Sequence, residues 1–115
     1  MGYVYEHTIR DAASYLLEIL DKSPEAAFST FYDGTDETAE RVHKGVGIDW
    51  APAEEGVALR ALEIAIGQLE NQGLLTTCPL DSKLADGESD YLISLSPKGK
   101  SWCSERFELQ FHDAE

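Results

Sequence analysis

The residues able to do acid–base, nucleophilic or metal chemistry are dispersed along this chain. His7, His43 and His112 stand far apart, and no two share the spacing at which imidazoles converge on a metal. His43, beside Val42 on a short amphipathic segment, is expected to be a partly buried packing residue. No serine stands in a GxSxG elbow, and there is neither an HExxH pair nor a phosphate-cradling glycine loop. "DGTDE" (33–37) and "DGESD" (86–90) begin like calcium loops, but neither reaches the closing Glu of the twelve-residue ligand pattern. Both read as turns carrying solvated acids. Cys78 and Cys103 are too few and too isolated for a disulfide scaffold or a zinc site, and they are expected to be small buried hydrophobes. The expectation is a non-enzyme without metal or cofactor.

What remains is charge. The chain has 22 Asp and Glu against 9 Lys and Arg, a formal net charge of -13. Such a balance repels phosphate backbones and anionic lipid headgroups and favours basic partners or plain solubility. The 115 residues, 43% of them hydrophobic, suit one domain over 1–115 that buries roughly two-thirds of its unfolded surface. "MGYVYEHTIRDAASYLLEIL" scatters charges through its apolar residues, which argues against a secretory or spanning segment. Gly2 lacks the downstream Ser or Thr of a myristoylation signal. A soluble, cytoplasmic protein without membrane contact is expected.

The elements that would display this charge follow from periodicity. Ile9, Ala12, Ala13, Leu16, Leu17 and Leu20 keep the spacing of one helix face over about 8–21. Ser23-Pro24 reads as the entry to a second short helix carrying Phe28, Phe31 and Tyr32. Thr35 can cap a third segment, broken at Gly45, with Ala39, Val42 and His43 facing inward. Pro52, Glu54 and Glu55 open a longer helix over about 53–72, which Gly73 and Leu74 close as in a Schellman motif. A strand over 74–78 should stop at Pro79. A polar loop with an Asp86-Gly87 turn follows, then a strand over 91–95 and a helical turn from Ser96-Pro97 through Trp102. Phe107, Leu109 and Phe111 alternate like a half-buried strand, which could pair with residues 3–5.

This order predicts an α+β fold of three to four helices with a two- to three-stranded antiparallel sheet. It resembles the winged helix-turn-helix superfamily over residues 36–103. "TAERVHKGVGI" is similar to a scaffold helix and turn, "LEIAIGQLENQGLL" to a recognition helix and its exit, and "YLISLSPKGKSW" to the wing strand and "LTPKG" phrase of MarR-like and PadR-like regulators. The resemblance implies DNA reading by the longer helix, aided by a basic wing.

The residues themselves depart from that role. On the longer helix Val57, Ala58, Ala61, Leu62, Ile64, Ala65, Ile66 and Leu69 form a wide apolar arc, leaving Gly56, Arg60, Glu63, Gly67 and Glu70 as the outward stripe. One Arg against two Glu suits phosphates poorly, and the wing carries Asp81, Asp86, Glu88 and Asp90 against Lys83. Direct DNA binding is therefore not expected. The reading that follows is a small interaction module whose carboxylates stand in for phosphates on the basic, nucleic-acid-binding surface of another protein. The contact candidates are Glu63, Glu70, Asp81, Asp86, Glu88 and Asp90, with Asp33, Asp36, Glu37 and Glu40 on the helix-turn-helix arm. In size and charge the chain resembles phage-encoded inhibitors of restriction or CRISPR complexes. Gly56, Arg60 and Gly67 are interface candidates, since glycines permit close backbone approach. The wide arc could be covered by the chain's own fold or by a second copy. The alternatives are a dimeric winged-helix regulator that gathers its basic residues on one face, and an adaptor subunit with an apolar patch on the longer helix.

Overall fold

The computed structural model describes residues 3–115 apart from the Glu54 side chain, so Gly2 and the Glu54 side chain lie outside what is described. The first helix, α1 (Glu6–Lys22), buries Ile9, Ala12, Ala13, Leu16, Leu17 and Leu20, as their spacing requires. No second helix follows Pro24. Residues Glu25–Ala27 form a short strand, β1, and Phe28–Thr30 a single 3-10 turn. An available sheet edge decides this: the Pro24 carbonyl accepts from Leu95 N–H at 2.8 Å, and β1 pairs with Leu92–Ser94 of a later strand. Phe28 and Phe31 are still buried, because a 3-10 turn brings i and i+3 to one side.

Helix α2 (Asp36–Val46) starts at Thr35, whose hydroxyl accepts from Thr38 N–H. It runs through Gly45, against whose Cα the Tyr15 ring lies too close for any side chain. The helix ends instead at Gly47, in the left-handed conformation (φ 84°). Gly56, also left-handed (φ 70°), separates a 3-10 turn at Ala53–Glu55 from α3 (Val57–Asn71), where the sequence suggested one continuous helix. The exit of α3 is as expected. Gly73 N–H reaches Glu70 O and Leu74 N–H reaches Leu69 O, both at 3.0 Å.

Strands β2 (Leu75–Lys83) and β3 (Ser89–Leu95) form an antiparallel hairpin, and the sheet order is β1-β3-β2. Strand β2 passes Pro79 instead of stopping there, with irregular register between Pro79 and Lys83. A proline is tolerated because β2 lies at the sheet edge. Ser96 caps α4 (Pro97–Glu105), accepting from Gly99 N–H at 3.0 Å. After Arg106 (φ 54°) the chain forms an extended arm, not a strand. Leu109 and Phe111 are buried as their alternation suggested. The arm's backbone is satisfied by α3, since Gln72 and Gln68 each exchange two hydrogen bonds with it, at Gln110 and His112. A single bridge joins Val4 to Ala114.

All of the wide arc on α3 is buried except half-exposed Ile64, and α3 packs on α1, α2 and β2 of the same chain. The chain's own fold covers the arc. Both cysteines depart from expectation: Cys78 is exposed and Cys103 half-buried, both as free thiols.

The hairpin tip is tied down. Ala85 N–H donates to Asp33 O at 2.7 Å, and Gly34 (φ 96°) faces the Ala85–Asp86 backbone, where an added Cβ would lie 2.5 Å from Asp86 N. Replacing Gly34 by Ala should therefore displace the tip. Urea unfolding should show a loss of at least about 1 kcal/mol, from left-handed strain alone before the clash is added. An unchanged midpoint would contradict this packing.

Candidate functional site

Fixing the tip turns the hairpin toward α3 and encloses a groove between them. Glu63, Ile66, Gly67 and Glu70 of α3 face Thr77 and Pro79 of β2 and Ser89, Asp90 and Tyr91 of β3 around a cavity of about 410 Å³. A second cavity of about 310 Å³ lies toward the tip and adds Phe28, Tyr32, Leu59, Leu84, Asp86 and Glu88. The two meet at Glu63, Ser89 and Tyr91. Both volumes fall within the roughly 300–1,000 Å³ of ordinary ligand pockets.

The expected contact residues divide into three sets. Glu63, Glu70, Asp86 and Glu88 line this groove, and none forms an ion pair among the described residues. Asp36 is exposed in the first turn of α2 and lines neither cavity. Asp81 is exposed on the irregular part of β2. Glu37 and Glu40 lie apart with Arg41 and Lys44 around a mixed-charge hollow, and Arg41 itself donates to the carbonyls of Thr30 and Phe31.

Two acids serve the fold. Asp90 is buried, so it is withdrawn as a surface contact. Its carboxylate accepts from Ser29 N–H (3.0 Å), Ser29 Oγ (2.6 Å) and Tyr91 N–H (2.9 Å), joining the hairpin to the turn after β1. Asp33 accepts from Thr35 N–H, Thr35 Oγ1 and Thr38 Oγ1 at the start of α2. The hydroxyls of Thr35 and then Thr38 hold its carboxyl below the usual range.

Of the interface candidates, Gly56 lies before α3, not on its stripe, and Arg60 is half-exposed in the first turn. Gly67 does open onto the groove, with nothing within 4 Å of where a Cβ would be. Tyr91, Tyr32, Thr77 and Pro79 are groove residues that sequence reasoning missed. The alternation of "DYLISL" could have placed Tyr91 on a face of β3, but which face looks at α3 depends on the hairpin's tertiary position.

The groove is electrostatically loaded. Partial burial raises the Glu63 carboxyl above its ordinary range, reinforced by the nearby charges of Glu88 and Asp86. Burial likewise raises the Tyr91 phenol strongly, with Glu63 contributing. Tyr91 is stacked on Phe28, ring centroids 4.9 Å apart, which fixes its plane. Glu70 accepts from Thr77 Oγ1 at 2.8 Å, which fixes its carboxylate across the gap between helix and hairpin.

Comparison with protein-family models, curated proteins and solved structures finds no match to this chain.

Two predictions follow from these partners. Asp90→Ala leaves buried donors unpaired and should cost about 2–3 kcal/mol in urea unfolding, whereas Asp81→Ala should change little. Equal effects would contradict the structural role of Asp90. Glu63 acts oppositely: the folded protein holds its proton more tightly than the unfolded chain does, so stability from this group falls as pH rises above the ordinary glutamate value toward the raised one. Glu63→Gln should therefore melt at a higher temperature than the parent at pH 7, with the difference vanishing in acid. A lower melting temperature at pH 7 would refute the loading.

Proposed function

We propose that this chain is a winged-helix-like interaction module that docks its acidic groove on the basic, nucleic-acid-binding surface of another protein and excludes nucleic acid from it. The topology supports the winged-helix reading, with helix, short strand, two helices and a hairpin whose inner strand pairs with the short one. The observation that carries the function is the lining of the groove between α3 and the hairpin: Glu63, Glu70, Asp86 and Glu88, without countercharge among the described residues. In a winged helix that reads DNA, this surface would meet phosphates and base edges with donors. Here it offers acceptors. Carboxylates held by helix and hairpin can replace phosphates as ligands of Lys and Arg, and the net charge of -13 would steer such an encounter.

The test has two arms. Fluorescence anisotropy of labelled random duplex DNA at low salt should show no binding. The immobilised protein should retain from cell extract a nucleic-acid-binding protein that is released both by salt and by added duplex DNA. Tight binding of the chain itself to DNA, or retained proteins indifferent to DNA competition, would overturn the reading.

A further inference from the structure

We infer that the larger cavity between α3 and the hairpin is an anchor pocket for one arginine side chain of the partner protein. The inference rests on the docking function above and assigns the chemistry of its central contact. An extended acidic face could attract any cation, but this groove combines three features that together suit a guanidinium.

Glu63 stands where the two cavities meet and Glu70 lines the same wall, so carboxylates are available to a planar, multidentate donor. Tyr91 lies beside them with its plane fixed by Phe28, and a guanidinium, more weakly hydrated than an ammonium, stacks on such a ring. Ile66 and Pro79 give apolar surface for the aliphatic stem.

Gly67 supplies the access. A glycine inside a helix costs about 1 kcal/mol relative to alanine, and here it does not relieve internal crowding, because nothing lies within 4 Å of its Cβ position. Its effect is to leave the cavity open beside Glu63 and Glu70. A cation entering there would also relieve the mutual repulsion of Glu63, Glu88 and Asp86.

The experiment is a titration of fluorescein-labelled nona-arginine and nona-lysine peptides at physiological salt, using the full chain and three variants. Glu63→Gln and Gly67→Leu should each weaken the arginine peptide at least about tenfold. Glu18→Gln, the same charge change on exposed α1, should weaken it less than about twofold. The parent should prefer arginine to lysine. Gly67→Leu should remain folded, since leucine is a good helix former entering open space, and its melting curve checks this. If all three variants weaken binding alike, or lysine binds as well as arginine, the pocket is wrong while the diffuse acidic surface stands. If the parent binds neither peptide, the pocket and the docking function both fail.

Discussion

The attachment of the hairpin to the segment between β1 and α2 is the constraint on which the surface depends. Beyond Leu92, where pairing with β1 ends, the hairpin is only two strands wide, and such a tip would ordinarily sample many positions. Here Ala85 N–H is held by the Asp33 carbonyl, Gly34 lets the backbones touch, and buried Asp90 gathers Ser29 and Tyr91. The ribbon therefore has one position relative to α3. Two Glu from a helix and two acids from a turn come to line two adjoining cavities that share Glu63.

Holding like charges in one place opposes folding, and the rest of the structure offsets it. The α3 arc is sealed by α1, α2 and β2, and the C-terminal arm is fastened by Gln68 and Gln72. Asp33 and Asp90 are stabilised by several donors each, whereas Glu63 is left with neighbours of its own sign. Acids of one composition thus differ by place: some hold the scaffold together, and others face charges of their own sign. Net charge alone would not separate them.

Much of the fold was legible because its signals are local. The apolar spacing of α1, the Thr35 cap and the Gly73-Leu74 exit depend on neighbours within a few residues, and they appear where periodicity placed them. The larger departures involve distant partners, while the breaks at Gly47 and Gly56 turn on left-handed glycines. Residues 25–27 became a strand because Leu92–Ser94 offered an edge, and the arm after Arg106 found glutamine amides in place of a strand. The site was legible as chemistry and only partly as place. Glu63 and Glu70 lie one helical turn pair apart on the stripe that spacing defined, but the enclosing role of Tyr91, Thr77 and Pro79 required the hairpin's position. Asp90 shows the limit most clearly, since nothing adjacent in sequence reveals that Ser29 buries it.

Burial and the charges of Glu88 and Asp86 disfavour the Glu63 carboxylate, and titration of its side-chain carboxyl by carbon-detected NMR measures that effect. The account predicts a midpoint above the ordinary glutamate range in the free protein, moving down when an arginine peptide is bound. An ordinary midpoint that the peptide leaves unmoved would contradict it.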